Sequence, residues 1–426
     1  MNIKNKITPL ALVVLSVMVI HAVADDEHYT PADSFFGPPV FMYDVHNYLS
    51  KTDRELNRIV IHVGFCNDIL QFVKTSNANF NARYELSITV FDKKGNHISG
   101  KTFTEEVIVQ SFAETNLRRL TNQMAHEVEL VAGEYKIVIT LTDVDTKKTL
   151  RRQKIIKTPE YGFDKINVSE VLFATDLNKE TNTNTLITPN LSRNFNEPDS
   201  EFGVYFEIYP FSLNDSVIVN YKVMNDVNEV VSRVRDAFIP YKMVLPYIIN
   251  LSEGMQQAGR FKLNINVSQK ESSIEKSEKF STAWRHVKPD NLDIRRAIKP
   301  LKNYVSNKDW KWLQNASVAE KEKWFENYWD NRDPTPESDE NELMKEFYER
   351  VEFANYYFTL NALDKDGWDT DRGKVYVKYG QPTSVERHVQ ELNVPPYEIW
   401  FYANIDRRFV FEDRSGFGDY ILVKIE

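Results

Sequence analysis

Among its 426 residues the chain has a single cysteine, Cys66. A lone thiol cannot close an intramolecular disulfide, so stability has to come from packing even in an oxidising compartment. It cannot build a thiolate metal site either. The eight histidines (His21, His28, His46, His62, His97, His126, His286 and His388) are scattered, and none forms the i, i+4 pair with which a helix grips a metal. No metal or other cofactor is therefore expected. Positive charge is scarce: 53 Lys and Arg stand against 62 Asp and Glu, a formal charge of −9. That balance lacks the basic footprint needed to hold phosphate backbones or anionic lipid, which argues against a nucleic-acid partner. Also missing are the Gly-x-Ser-x-Gly elbow, the phosphate loop and the dinucleotide fingerprint.

Long apolar runs are confined to the N-terminus. Lys4 and Lys6 precede an apolar run over residues 7–20, and Ala22-Val23-Ala24 comes just before Asp25-Asp26-Glu27. This is the pattern of a secretory signal, with cleavage expected after Ala24. The competing expectation is an uncleaved anchor, because the run lies near the lower limit of about 17 residues for a spanning helix. The Ala-x-Ala site favours cleavage. Losing Lys4 and Lys6 and no acid takes the charge from −9 to −11. The mature form is expected to be periplasmic or extracellular, without a transmembrane segment.

From about residue 39 to 158, apolar side chains alternate with polar ones. Ile59, Ile61, Val63 and Phe65 share one strand face, as do Tyr84, Leu86, Ile88 and Val90, and then Tyr135, Ile137, Ile139 and Leu141. The span 114–131 has few strand signals and reads as a loop with a helical turn. Asp143 and Asp145 offer only two carboxylates where calcium wants six or more oxygens, so turn chemistry explains them better. Residues 163–287 repeat the theme, with Phe202, Val204, Phe206 and Ile208 on one strand, Val217, Val219, Tyr221 and Val223 on another, and Phe261, Leu263, Ile265 and Val267 on a third. Ala132-Gly133-Glu134-Tyr135-Lys136-Ile137 matches Ala258-Gly259-Arg260-Phe261-Lys262-Leu263 at the start of a late strand in each block. The patterning predicts two tandem all-β immunoglobulin-like sandwiches, 25–158 and 163–287, with a linker near Pro159 and a long polar loop over 178–200.

After Pro289 the period changes from two to about 3.6. Helical stretches are expected around Leu301 and Trp324. The strongest helix is expected to start at Thr335 with Pro336 in its first turn, and to bury Leu343, Phe347, Val351, Ala354 and Phe358. Strands are expected at 374–379, 397–403, 408–411 and 418–425. The sum is an α+β domain over 290–426, helices packed on an antiparallel sheet. Six of the seven tryptophans fall here (Trp310, Trp312, Trp324, Trp329, Trp368 and Trp400), either as core or as a cleft that stacks on sugar rings or peptide side chains.

The densest stretch is Gly367-Trp368-Asp369-Thr370-Asp371-Arg372-Gly373. Together with Arg332-Asp333-Pro334-Thr335-Pro336 upstream, it resembles the signature of the bacterial GWxTD domain, in which Gly-Trp-x-Thr-Asp is followed by Arg-Gly. The resemblance implies an exported bacterial protein of no settled biochemical activity, and it makes the Asn-x-Ser sites at Asn167, Asn190, Asn214, Asn250, Asn266 and Asn315 idle. Within the stretch, Gly367 suits the left-handed end of a helix, Trp368 can pin the turn, and Thr370 and Asp371 can accept backbone N–H groups. Gly373 completes the motif. Arg372 needs a partner if buried, and Asp333, Asp371 and Glu398 are the candidates. The expectation is a structural clamp without catalytic residues, in an interaction or scaffold protein whose partner is another envelope protein. One alternative is a periplasmic hydrolase of glycan or peptide using Asp369, Asp371 and Glu398 as acid and base. The other is a carbohydrate-binding protein.

Overall fold

The computed structural model describes residues 41–426 apart from 54, 76–78, 116–121, 163, 182–183, 196–200, 253–258, 283–292, 338–340, 361–364, 389–393 and 416–417. The expected signal segment, 1–24, lies outside the described residues. So does Ala258 of the repeated phrase. Among the described residues, no helix is long and apolar enough to cross a membrane.

Period-two alternation builds seven main strands over residues 41–158, beside the short Val73–Lys74: β1 (Phe41–Leu49), β2 (Leu56–Phe65), β3 (Phe80–Asp92), β4 (His97–Val109), β5 (Asn122–Val131), β6 (Gly133–Asp143) and β7 (Thr149–Thr158). They make two sheets, in the orders β1-β2-β5 and β4-β3-β6-β7. Ile59, Ile61 and Phe65 from one sheet meet Leu86, Ile88, Ile137 and Ile139 from the other in a single apolar cluster. Cys66 is fully buried. Seven main strands follow, flanked in their sheets by Asn167–Val168, Asn184–Pro189 and Asn194–Phe195: β8 (Leu172–Thr181), β9 (Phe202–Tyr209), β10 (Val217–Asn225), β11 (Val230–Phe238), β12 (Leu245–Asn250), β13 (Gly259–Gln269) and β14 (Ser272–Thr282). Their sheets run β8-β9-β12 and β11-β10-β13-β14 and close over Phe206, Val219, Leu263 and Phe280. Adding seven to each strand number of the first pair gives the order of the second. The repeated phrase opens the equivalent strands β6 and β13, each an inner strand of its sheet.

Two expectations fail here. Residues 122–131 form β5, although the helical turn just before them, α1 (Phe112–Thr115), is present. The alternation is hidden because His126 takes an inward position opposite Ile61, where an apolar residue would have completed the pattern. The long loop over 178–200 is instead partly a hairpin, since β8 runs to Thr181 and pairs with Asn184–Pro189. Asp143, by contrast, is a turn residue as expected: one carboxylate oxygen accepts the N–H groups of Asp145 and Thr146 at 3.0 and 2.6 Å.

The two sheet pairs meet along β1. The Asn47 carbonyl accepts the Glu170 backbone N–H at 3.1 Å, the Asn47 N–H donates to the Glu170 carboxylate at 2.9 Å, and the Leu49 N–H donates to the Tyr209 hydroxyl at 2.8 Å. Glu207, 4% exposed, accepts from Arg58 at 2.9 Å and from Tyr209 at 2.8 Å. Asp44 accepts from Arg193 at 3.0 Å.

The C-terminal unit has helices α2 (Ile294–Ala297), α3 (Asn307–Asn315), α4 (Val318–Asp330), α5 (Glu342–Phe358) and α6 (Asp371–Tyr379). Its antiparallel sheet β15-β16-β17-β18 comprises Ser384–His388, Tyr397–Tyr402, Arg407–Glu412 and Ile421–Ile425. Val351, Ala354 and Phe358 of α5 and Val375 and Tyr376 of α6 pack on Trp400, Tyr402, Phe409 and Phe411, so the helices cover one sheet face.

The helix expected from Thr335 starts later. Asn341 caps it through the Met344 N–H at 2.9 Å, while the Thr335 hydroxyl is spent on the Glu342 carboxylate at 2.5 Å. Leu343 is 43% exposed, so the buried stripe begins beyond it. Residues 374–379, expected as a strand, are α6. Thr370 caps this helix, Asp371 lies in its first turn and Lys378 in its last, and these end signals outweigh the β preference of Val375-Tyr376-Val377.

Candidate functional site

The signature folds as a 3₁₀ turn, Gly367–Asp369, that links α5 to α6. Gly367 does not end a helix in the left-handed region. That position belongs to Gly380, at φ 76°, whose N–H closes α6 on the Tyr376 carbonyl at 2.7 Å. Gly367 is needed for close approach: a Cβ there would lie 1.9 Å from the Ala354 carbonyl oxygen. The same holds for Gly373, whose Cβ would lie 1.8 Å from the Gly367 oxygen. Backbone therefore touches backbone where α5, the turn and α6 cross.

Three side chains then lock the turn. Thr370, 3% exposed, donates its hydroxyl to the Gly367 carbonyl at 2.7 Å and accepts the Gly373 N–H at 3.0 Å. Trp368 is buried in the helix–sheet core, and its backbone N–H donates to the Asn355 side-chain oxygen at 3.2 Å. Asp371 reaches the sheet, where one carboxylate oxygen accepts the Leu422 N–H of β18 at 3.0 Å and the other pairs with Lys374 at 3.2 Å.

Arg372 lies at the centre, 5% exposed. Its guanidinium carbon stands 4.3 Å from the Tyr420 ring centroid and 4.8 Å from that of Phe358. One terminal nitrogen faces Glu398 at 3.4 Å and the other the Gly418 carbonyl at 3.3 Å. Glu398 is fully buried, accepts the Trp400 indole N–H at 3.1 Å and lies 3.5 Å from Arg387. A buried carboxylate between two guanidiniums is compensated charge, held between flat aromatic faces.

Of the residues expected to act together, the structure assembles Gly367, Trp368, Thr370, Asp371, Arg372, Gly373 and Glu398. Asp333 is not brought to this place: it closes the turn after α4 by accepting the Thr335 N–H at 2.8 Å. The acid and base of the hydrolase alternative are divided, with Glu398 sealed against Arg372 while Asp369 and Asp371 pair with Lys374 at 3.8 and 3.2 Å. Trp329, Trp368 and Trp400 are buried, and Trp312 is 44% exposed. Among the described residues no group of three or more His, Cys, Asp and Glu comes together as a metal site.

Sequence reasoning missed Tyr420, Phe358 and Arg387, which lie too far along the chain for spacing to connect them with Arg372. It also missed Arg260, whose side chain binds the carboxylate of Asp366, immediately before the signature. A signal was there. In the repeated phrase the first copy has Glu134 where the second has Arg260. Beside it, Arg296 and Lys299 converge on Asp226, in the turn between β10 and β11, at 3.2 and 2.6 Å.

A family model of the GWxTD domain matches residues 266–424, a span that takes in most of the β13–β14 hairpin as well as the helix–sheet unit. No curated protein matches the chain. Among solved structures it is similar to red sea bream transglutaminase, at 8% identity over 58% of this chain and 32% of that one, with a TM-score of 0.18. A glycosyl hydrolase family 2 member from Bacteroides cellulosilyticus DSM 14838 is similar at 9% identity over 53% of this chain and 28% of that one, TM-score 0.23. Dimeric latent PorU from Porphyromonas gingivalis is similar at 8% identity over 57% and 20%, TM-score 0.24. The chain spans about a third or less of the length of each.

Proposed function

Because a family model of the GWxTD domain matches residues 266–424, we propose that the chain is an exported bacterial envelope protein, periplasmic or extracellular, whose C-terminal unit is a non-catalytic interaction or scaffold module. In this reading two immunoglobulin-like sandwiches carry that unit, and its partner is another envelope protein. The observation that carries it is the inward orientation of the signature. Trp368, Thr370 and Arg372 are each less than a tenth exposed, and each is committed to the turn, the neighbouring helix or the sheet. Side chains used up in this way hold a surface in shape. The matching orders of the seven main strands in each of the two sheet pairs favour the immunoglobulin-like assignment.

Two measurements test this together. Trp368→Ala is expected to lower stability by about 3 to 5 kcal/mol, the cost of emptying a buried indole site. Crosslinking in the native envelope is expected to recover a defined protein partner through the C-terminal unit. Unchanged stability with loss of a retained small ligand would sink the scaffold reading, and so would turnover of a glycan or peptide that depends on Glu398.

A further inference from the structure

Between α2, α4 and α5, on the helical layer away from the signature turn, lies an open groove of about 610 Å³, a volume in the range of built binding sites. Its apolar lining includes Ile294, Val318, Phe325 and Met344. The floor is fixed, because the buried Tyr348 hydroxyl donates to the Ala297 carbonyl at 2.7 Å and ties α5 to α2. Val318, at the start of α4, is 48% exposed.

The charge left unpaired on the lip is of one sign. Glu322 and Glu326, one helical turn apart on α4, line the groove and form no ion pair among the described residues. Arg295, the one base in the lining, is already bound by Asp293 and by Glu229 at 2.6 Å. An apolar trough edged by unneutralised carboxylates complements an amphipathic segment whose leucine-like stripe is flanked by lysine or arginine.

We propose that this groove is the partner-binding surface of the module and that its occupant is an amphipathic, basic segment of another protein. The inference rests on the interaction reading above and names the chemistry of the partner. The stripe would fill the trough while Glu322 and Glu326 hold the flanking cations, which fixes orientation and speeds encounter at low salt.

The test uses the full chain and three labelled peptides followed by fluorescence anisotropy. The first has a leucine stripe flanked by lysines, the second has glutamates in place of those lysines, and the third keeps the lysines but has serines in the stripe. The lysine–leucine peptide is expected to bind at least about tenfold more tightly than either of the others, and to weaken as salt is raised. The double variant E322K/E326K changes only exposed side chains, so its unaltered melting curve certifies the fold. It is expected to reverse the preference between the lysine and glutamate peptides. Equal binding of the two charge forms, retention by the serine peptide, an unchanged preference in the double variant, or no binding up to about 1 mM each overturns the groove assignment. Crosslinks to an envelope partner that map outside the groove would remove this inference while leaving the interaction reading intact. Turnover of substrate with no partner recovered would remove that reading itself.

Discussion

The junction between the two sheet pairs and the cradle around the signature turn both hold separate parts of the chain in a fixed relation, by opposite means. At the junction most contacts are polar, around a small apolar cluster of Leu49, Tyr161 and Tyr209: Asp44 with Arg193, Glu207 with Arg58 and Tyr209, and Asn47 with Glu170. In the cradle, two glycines bring backbones together, and the buried Glu398 pairs with Arg372 and Arg387, with Phe358, Trp400 and Tyr420 around the Arg372–Glu398 contact. Polar bonds trade with water at a small net gain each, whereas steric fit and buried charge compensation admit no substitute. The cradle should therefore fail abruptly on mutation and the junction by degrees.

The largest effect is expected at Gly367→Ala. The added methyl has only backbone to push against, so the loss should exceed about 4 kcal/mol and leave the C-terminal unit poorly folded, read from circular dichroism and tryptophan fluorescence. A loss under about 1 kcal/mol would remove the close-approach argument.

Next comes Arg372→Met, expected to cost about 3 to 5 kcal/mol because it leaves the buried Glu398 carboxylate with Arg387 alone. Adding Glu398→Leu should restore much of that stability, and a denaturant double-mutant cycle measures the recovery. Strict additivity would mean that the two charges do not depend on each other.

At the junction, Glu207→Gln keeps the shape while removing the charge that faces Arg58. A smaller loss of about 1 to 3 kcal/mol is expected, and protease cutting near Pro159 should rise before the sheets themselves open. A loss as large as that of Arg372→Met would erase the contrast.

The last effect, partly offset within the junction itself, is expected from pH. His46 is 2% exposed, and burial lowers its pKa below the ordinary 6.5, as it does for His62, held at about 3. Below pH 6.5 the unfolded chain binds protons that the folded form refuses, so stability falls as pH falls, by at most about 1.4 kcal/mol per unit for each histidine. Two partners oppose or modify this trend. Glu170, whose carboxyl is raised by burial, takes up its proton more readily in the folded form, so its contribution rises as pH falls and offsets part of the loss. Asp44, held low despite burial by His46, Arg193 and Lys154, adds its own loss only at more acid pH. Hydrogen exchange at pH 7 and pH 5 should show the β1 amides loosening while the Gly373 amide stays protected. Equal protection at both pH values would contradict the sign.

Much of this architecture was legible in the sequence, for a physical reason. Strands buried on one face must alternate, so Ile59 to Phe65 or Phe202 to Ile208 declare themselves, and the repeated Gly-x-aromatic phrase marks matching strands. His126 on β5 and Val375-Tyr376-Val377 on α6 do not declare themselves: a polar residue fills an inward site, and end-capping overrides local preference. At the site, Thr370 as a cap and Glu398 as the partner of Arg372 could be foreseen from chemistry. The crossing that makes Gly367 and Gly373 necessary could not, because it is a fact of three dimensions.

The contact between Arg260 and Asp366 also bears on how such a protein can be inherited. Where the first copy of the phrase has an acid, the second has the base that receives the residue before the signature, and Asp226 close by takes Arg296 and Lys299. A recombination event that spliced the helix–sheet unit onto a foreign carrier at residue 290 would strand these charges on both fragments. The last β-hairpin should therefore travel with the motif whenever the gene is shuffled.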